Sequence, residues 1–335
     1  MNNKCLLISC VGAYADSGIG TGGFLIYDGN EVLTIDKYDT TGLYKFKRNY
    51  FRFIRSEKLL IGYNNKELFY QCKFPNVLDC HDILIENNEV IFVSTGTNQI
   101  LYYNFLGELI RTKNFKGKGD AWHLNCLIKK EEKYFVSAFG EYYEHRQWNK
   151  EGCIEKGILY DLNDDKIYVN ELSGPHTPRF IDDKLIVCNS HKNSVRIFKS
   201  VNDFRDINLG GFTRGICYDK DYIYVGVSGN RKSENPSNSK IIVLNRKKYE
   251  VVGTINIPYP EIYDIIICDK ELAVNFKNHK NSFQLTDVNS KIQTLTKQVE
   301  LGHKANFELQ NEISLMKNKI KLYKKFKRII NKLFK

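Results

Sequence analysis

The chain has 335 residues, of which 42% are hydrophobic and 27% are charged. This composition excludes a disordered or fibrous protein, and the length suits one large core or two ordinary ones. Aromatic residues make up 13% of the chain and there are only 6 prolines. Because aromatic and β-branched side chains favour strands, an all-β body is expected.

The formal net charge of +11 is concentrated at one end. Residues 317–335 contain nine basic and no acidic residues, which leaves 11 − 9 = +2 for the other 316 residues. A nearly neutral body offers no basic stripe along which a nucleic-acid backbone could run. No nucleic-acid partner is therefore predicted.

The cysteines and the N-terminus bear on the cellular compartment. Nine cysteines lie scattered, mostly in apolar runs, and no C-x-x-C pair occurs. This pattern predicts reduced, buried cysteines in a cytoplasmic protein without a structural zinc knuckle. Residues 7–10 imitate a lipoprotein cleavage box, but only nine residues precede Cys10. We expect a first strand here, with a signal peptide as the alternative, and no run is long enough to span a membrane.

A repeated unit organises residues 1–283. It consists of an anchor residue, an apolar strand, a charged turn and a second apolar strand, and in five copies nine positions separate the anchor from the second strand. A sixth copy, at His123, has two extra residues. The anchors are Tyr50, His81, His123, His176, Thr213 and Tyr263.

Third and often fourth strands follow each pair, as in QILYYNF and ELIRTKNF. This predicts a β-propeller of about six four-stranded blades, because a β-sandwich would not repeat one supersecondary unit. The strands within residues 6–35 are expected to complete the blade that begins at Tyr263 and so close the ring. A further predicted strand at residues 272–276 leaves seven blades as an alternative.

From Leu285 to Tyr323 apolar residues recur at spacings of three and four, which predicts an α-helical coiled coil over residues 284–323. Asn306 falls at an a position among β-branched residues, a pattern that favours a parallel homodimer. The alternative is a helix packed back on its own propeller.

Residues 324–335 form a basic amphipathic tail, in which apolar residues such as Phe326 and Ile330 alternate with lysines. Such a composition predicts binding to an anionic membrane surface, and hence a cytoplasmic protein held peripherally at the inner face of the membrane. A solvated helix end is the alternative.

The anchors predict a site in the channel. Inner strands of a propeller line its axis, so residues at one offset converge, and three of the seven histidines share the anchor offset: His81, His123 and His176. Asp82, Arg214 and Asp264 occupy the next or nearby offsets, with Arg179 further along its strand.

Several chemistries fit these residues. Three neutral imidazoles could hold a divalent metal, oriented by Asp82 or Asp264. Arg179 and Arg214 suit a carboxylate or phosphate. The alternative is that the cluster only joins blades through hydrogen bonds around water. Neither G-x-S-x-G nor H-E-x-x-H occurs, and the glycine-rich residues 18–23 lead into a strand, so they are interpreted as a loop.

Four motifs resemble those of an uncharacterised bacterial family of propeller-like proteins. They are His81-Asp82-Ile83, Trp122-His123-Leu124-Asn125, Gly174-Pro175-His176-Thr177-Pro178-Arg179, and Phe212-Thr213-Arg214-Gly215 followed by Val225-Gly226-Val227-Ser228. The likeness covers about residues 50–275. It implies the fold and the motif residues, Asn125 among them, and no reaction. The architecture also resembles six-bladed lactonases, but a histidine-rich channel does not match their Glu, Asn and Asp ligands.

The sequence thus favours a channel site for a polar or anionic small molecule or glycan-type ligand, with catalysis left open. The alternative is a non-enzymatic scaffold that docks another protein and dimerises through its coiled coil. A large exposed apolar rim would favour the scaffold.

Overall fold

The computed structural model describes residues 4–12, 22–229 and 237–283. These residues form six four-stranded antiparallel sheets arranged as a β-propeller. Six blades are therefore present in the described part, and the seven-bladed alternative is wrong.

Each blade runs from an inner strand at the channel to an outer strand at the rim. Blade 1 comprises β4 (Thr40–Phe46), β5 (Asn49–Ile54), β6 (Leu59–Tyr63) and β7 (Leu68–Lys73). Blade 2 comprises β8 (Cys80–Glu86), β9 (Glu89–Ser94), β10 (Gln99–Asn104) and β11 (Leu109–Asn114). Blade 3 comprises β12 (Leu124–Lys130), β13 (Lys133–Ala138), β14 (Gly157–Asp161) and β15 (Lys166–Leu172).

The second half repeats this order. Blade 4 comprises β16 (Pro175–Ile181), β17 (Lys184–Asn189), β18 (Ser194–Ser200) and β19 (Asp203–Asn208). Blade 5 comprises β20 (Phe212–Tyr218), β21 (Tyr222–Ser228), β22 (Ser239–Asn245) and β23 (Val251–Ile257). Blade 6 comprises β24 (Ile262–Cys268), β1 (Cys5–Cys10), β2 (Gly23–Tyr27) and β3 (Val32–Asp36).

Blade 6 closes the ring, as the sequence predicted. Its inner strand β24 pairs antiparallel with β1 from the other end of the chain, in a register that sets Ile8 opposite Ile265. Residues 7–10 thus belong to a strand. The closure joins the two ends of the propeller by backbone hydrogen bonds, so blade 6 has four strands like the other five blades.

Blade 1 differs from the prediction in its first strand. The inner strand is β4, and Tyr50 lies in the second strand, where it pairs with Lys45 and Tyr63. The repeat misaligns here because the hairpin between β5 and β6 has the same length and pattern as the hairpins between inner and second strands. Tyr50 is therefore no channel anchor.

The strand predicted at residues 272–276 is wrong. Residues Lys270–Asn278 form a helix, α1, that buries Leu272, Ala273 and Phe276. The place of the second strand, beside β24, is already taken by β1, so this segment is not needed to complete the blade. Spacings of one and three place the three buried residues on one helix face, and Phe276 packs edge-on against Tyr63.

The core lies between neighbouring blades. Side chains from facing sheets, such as Ile186 and Ile197 of blade 4 and Ile216 and Val225 of blade 5, form one buried cluster. Because strand residues alternate between faces, each blade packs one face on each neighbour.

The last described residue is Phe283. The predicted coiled coil and basic tail lie outside the described residues. Within the described part, no helix is long and apolar enough to cross a membrane. All nine cysteines are free, and seven of them are buried.

Candidate site at the mouth of the channel

The inner strands of a propeller run along the channel in the same direction, so all six begin at the same mouth of the channel. Registers with the second strands align their starts: Cys80 pairs with Ser94, Leu124 with Ala138, and Pro175 with Asn189. His81 and His176 therefore occupy equivalent positions. The equivalent residue in blade 3 is Asn125, not His123.

A β-bulge follows at the same level of every inner strand. In blade 5, Arg214 and Gly215 together face one residue of β21. A bulge redirects the side chains beside it, so polar residues turn toward the channel mouth. The glycine of the V-G-x-S motif serves this bulge: a Cβ on Gly226 would lie 2.2 Å from the Arg214 carbonyl oxygen.

His81 lies in a polar network with its neighbours. Its Nδ1 donates to Asn125 Oδ1 at 2.8 Å, an orientation fixed because Asn125 Nδ2 donates to the His123 carbonyl. Its Nε2 lies 3.5 Å from Asp79 Oδ2. Partial burial opposes ionisation of Asp79, but His81 and Arg55 outweigh it and hold the pKa of Asp79 below its usual value. Both ring nitrogens of His81 therefore face protein groups.

His123 precedes β12 and adopts a left-handed backbone conformation, with φ of 52°. Its Nδ1 donates to the Asp120 carboxylate at 2.9 Å, and its ring packs on Trp148 with centroids 4.1 Å apart. The ring also meets His81 edge-on at 4.9 Å. Burial lowers the pKa of His123 to about 4, although Asp120 opposes this. Neutral His123 thus keeps a lone pair on Nε2, which has no hydrogen-bond partner in the described part of the chain.

His176 is held in the same tautomer by different partners. Its Nδ1 donates to the Gly174 carbonyl at 3.0 Å and to Ser190 Oγ at 2.8 Å. The Ser190 hydroxyl gives its own proton to the Thr213 carbonyl, so toward His176 it can only accept. Burial, reinforced by Arg214, lowers the pKa of His176 well below its usual value. Its Nε2 also remains a lone-pair acceptor with no partner among residues 4–12, 22–229 and 237–283.

Arg214 and Tyr263 carry unsatisfied polar atoms. The Arg214 guanidinium lies over the Tyr263 ring at 3.5 Å, and its NH1 donates to Glu261 Oε1 at 3.0 Å. Its Nε and NH2, and the Tyr263 hydroxyl, are buried without a hydrogen-bond partner among the described residues. Both residues are more than nine-tenths buried. Such atoms cost about 1–3 kcal/mol each, more when charged, so their retention needs a reason.

Asp82 and Asp264 lie one position further along their strands, and the carboxylate of each accepts from backbone N–H. Asp82 accepts from the backbone N–H of Ile83 and, in the next blade, of Leu127 at 2.9 Å. Asp264 accepts from its neighbour Ile265 at 2.8 Å, and Arg179 lies 3.8 Å away from it. Burial and repulsion from Asp264 raise the pKa of Asp82 to about 8, and burial raises that of Asp264.

Thr177 has the same position and the same role in blade 4. Its hydroxyl accepts from the Gly215 N–H of the next blade at 3.0 Å, and its φ of 42° is rare for a β-branched residue. Asp82 and Thr177 therefore join successive blades, which for Asp82 is the structural alternative that the sequence left open.

Metal ligation by His81, His123 and His176 stays a prediction that gains no support from this geometry. No group of three His, Cys, Asp or Glu side chains in the described part is disposed to hold a metal ion. Asn125 and Asp79 face the two ring nitrogens of His81, and Phe139 packs against both other rings, at 4.4 Å from His123 and 5.5 Å from His176 between centroids.

Sequence reasoning missed the acidic partners at the mouth: Asp79, Asp120 and Glu261. A signal existed, because an acidic residue stands two positions before the aligned inner-strand residue in three of six blades, as Asp39, Asp79 and Glu261. Trp148 was also missed. It reaches His123 from the long connection between β13 and β14, which no periodicity marks.

Residues 61–274 match the model of the family described as Domain of unknown function (DUF4915). The chain belongs to this family. No curated protein matches it in sequence.

Solved structures share the propeller fold at low identity. A propeller in a nidogen/laminin complex has a TM-score of 0.57 at 9% identity, covering 79% of this chain and 99% of that one. A protein of unknown function from Bacteroides caccae has 0.55 at 14%, with the same coverage of 79% and 99%. A luciferin-regenerating enzyme has 0.51 at 14%, covering 67% and 78%. At these identities the likeness shows the fold alone.

Proposed function

We propose that this member of the family binds a small polar molecule at the channel mouth, against Arg214, Tyr263, His176 and His123. The observation that carries the proposal is the buried Arg214 guanidinium with unpartnered Nε and NH2 beside an unpartnered Tyr263 hydroxyl. A bound molecule that accepts from these donors removes their desolvation cost.

Backbone conformation supports the same place. Asp79, His123 and Thr177, each beside or within the mouth, have φ between 42° and 52°. Non-glycine residues in this region cost of order 1–3 kcal/mol each and cluster at binding sites, where the surrounding structure holds them.

The surface gives less support to the scaffold alternative. Apart from Tyr218 at the end of β20, the exposed large apolar side chains on the described strands lie on the outer strands of different blades, among them Phe69, Leu109, Ile167, Phe204 and Val251. Distributed around the rim, they do not form a single apolar patch of the kind that marks a protein interface.

The test is a thermal-shift and calorimetry panel with one probe of each chemical class: methyl glucoside, sodium phosphate, sodium acetate and adenosine. At least one probe should bind the full-length protein and raise its Tm. Arg214→Gln should abolish that binding, because it removes the charged donor.

Arg196→Gln is the matched control. Arg196 is equally buried, but Asp206 satisfies it through two hydrogen bonds at 2.9 and 2.7 Å in blade 4. This variant should lose stability and still bind. If no probe binds, or if binding survives Arg214→Gln, the proposed site is wrong.

We further propose that residues 284–323 pair two copies of the chain and that the basic tail binds anionic membrane surfaces. Nine positive charges at ~1 kcal/mol each, before screening, suffice for reversible docking. Sedimentation should show a dimer that becomes a monomer on truncation after Phe283. Co-sedimentation with phosphatidylserine vesicles should fall with salt and vanish without residues 317–335. If the truncated chain were still a dimer, the pairing proposal would be wrong. If the protein bound neutral vesicles equally well, the proposal for the tail would be wrong.

A further inference from the structure

The mouth presents hydrogen-bond acceptors beside its donors. Arg214 Nε and NH2 donate, and the Tyr263 hydroxyl both donates and accepts. Nε2 of His123 and Nε2 of His176 only accept, because Asp120 and Gly174 respectively hold the proton of each ring on Nδ1. A ligand that fills this site must therefore accept from Arg214 and donate to the imidazoles.

These groups lie in one continuous set of contacts. Arg214 stacks on Tyr263 at 3.5 Å, the Tyr263 ring meets His81 at 5.7 Å, and His81 meets His123 at 4.9 Å. His176 joins the set through the Phe139 ring, which lies 4.4 Å from the His123 ring and 5.5 Å from the His176 ring between centroids. Donor and acceptor groups thus lie side by side along this set of contacts, with successive groups 3.5 to 5.7 Å apart.

The fixed charges at the mouth are already paired. Glu261 lies 3.0 Å from the Arg214 guanidinium, and Arg55 lies 3.2 Å from Asp79. Asp120 accepts a hydrogen bond from Nδ1–H of neutral His123. An anionic ligand would face Glu261, Asp79 and Asp120 without an excess of positive charge, and it would place its oxygens against two imidazole lone pairs.

Aromatic rings complete the wall. Trp148 is only partly buried and packs on His123, and its Nε1 donates to the Asp120 carbonyl at 3.2 Å. Phe139 meets His123 and His176, and Phe212 meets His176 at 5.5 Å. Apolar ring faces beside oriented polar groups suit a ligand with C–H faces and hydroxyl edges.

We propose that the ligand is a neutral polyhydroxyl molecule, a sugar ring or cyclic polyol, and not an anion. This inference rests on the proposed function, since it assigns the chemistry of that same site. Each hydroxyl both accepts and donates, so a vicinal pair accepts from Arg214 and donates to Nε2 of His123 or His176.

The experiment is saturation-transfer NMR followed by calorimetry on the full chain. The neutral probes are methyl glucoside, methyl galactoside, methyl mannoside and myo-inositol, and the anionic probes are phosphate, sulfate and acetate. At least one neutral probe should bind at least tenfold more tightly than every anion, and Arg214→Gln should remove its signal.

His123→Phe and His176→Phe keep the ring packing and delete the Nε2 acceptor; each also removes the Nδ1–H donated to Asp120 or to Gly174 and Ser190, so the Tm of each variant is measured beside its affinity. Each should weaken the neutral probe ~3–10-fold, which corresponds to one lost hydrogen bond. His279→Phe is the control, since His279 is exposed beyond α1, and it should bind as the wild type does.

The outcomes separate the two proposals. Binding of anions alone, lost on Arg214→Gln, would keep the site and overturn its assignment to a polyol. Neutral binding unaffected by either histidine variant would likewise overturn that assignment. Failure of every probe in both classes would overturn the assignment and the proposed site together.

Discussion

Polar side chains near the start of the inner strands form two levels, the mouth and the position after it, that use their polar atoms differently. Arg214 is the exception in position: it aligns with Asp82 along the strand, but its side chain belongs with the mouth residues. At the mouth, Arg214, Tyr263, His123 and His176 keep atoms without partners in the described part. One position along, Asp82, Thr177 and Asp264 each accept from backbone N–H groups, and for Asp82 and Thr177 one donor lies in the next blade.

The contrast separates positions that hold the ring together from positions available to a ligand. A polar group whose bonds are all made within the protein contributes to stability, whereas an unsatisfied buried group detracts from it. Substitutions at the two levels should therefore move stability and binding in opposite proportions.

The largest effect is expected at the bonded level. Asp82→Ala leaves the buried N–H groups of Ile83 and Leu127 unsatisfied and should destabilise the protein by about 2–4 kcal/mol. Urea unfolding measures this. Asp203→Ala, on the exposed outer strand β19, is the control and should stay within ~0.5 kcal/mol. If Asp82→Ala were as stable as the wild type, the blade junction would not depend on this carboxylate.

The second prediction concerns pH. The folded pKa of Asp82, about 8, lies above the ordinary aspartate value of 3.8, so the folded state binds more protons than the unfolded state between these values. Stability should therefore be highest at the acidic side of this window and fall as pH rises toward 8, by at most about 1.4 kcal/mol per pH unit for one proton.

The groups around Asp82 sharpen this test. Asp264 raises its pKa and Arg179 lowers it, so Asp264→Asn should flatten the fall and Arg179→Gln should steepen it. Unfolding at pH 5.5, 7 and 8.5 and constant ionic strength measures the slope. A stability that rises with pH across this range would contradict the sign.

The sequence was sufficient for the fold because the repeat is carried by hairpin pattern, which survives in every blade. It failed at Tyr50 and at residues 272–276, where pattern alone could not tell which strand edge was already occupied. The register of blade 3 also failed: Leu124 pairs with Ala138, so Asn125 takes the aligned place and His123 reaches the mouth from the loop before β12.

The site itself was predicted only in composition. His81, His176 and Arg214 were found because they start inner strands, but their roles depend on which nitrogen each partner holds. Those partners, Asp79 and Glu261 among them, lie just before the strands, where no spacing rule fixes the direction of a side chain.

A smaller loss of stability is expected at Ser190, one of the two groups that accept from Nδ1 of His176. Ser190→Ala removes the hydroxyl that accepts from His176 Nδ1 and donates to the Thr213 carbonyl across the blade junction. The Gly174 carbonyl still accepts from Nδ1, so the loss should be about 1 kcal/mol in urea unfolding. Ser200→Ala, at the exposed end of β18, is the control. A loss as large as that of Asp82→Ala would place Ser190 among the main blade junctions.

The smallest effect on stability, with a clear effect on binding, is expected for Tyr263→Phe. The Tyr263 hydroxyl has no partner within the described residues, so deleting it removes an unsatisfied buried group while the ring stays beneath Arg214. Unfolding free energy should change by less than ~0.5 kcal/mol or rise, because no hydrogen bond within the protein is lost. Affinity for a probe that binds at the mouth should fall ~3–10-fold in calorimetry.

Tyr63→Phe is the matched control, because that buried hydroxyl accepts from Arg52 Nε at 2.9 Å, away from the mouth. It should reverse the pattern, with stability lost and binding kept. If Tyr263→Phe instead destabilised the protein as Tyr63→Phe does, the hydroxyl would be making a bond that holds the channel together, and the distinction between the two levels would not extend to blade 6.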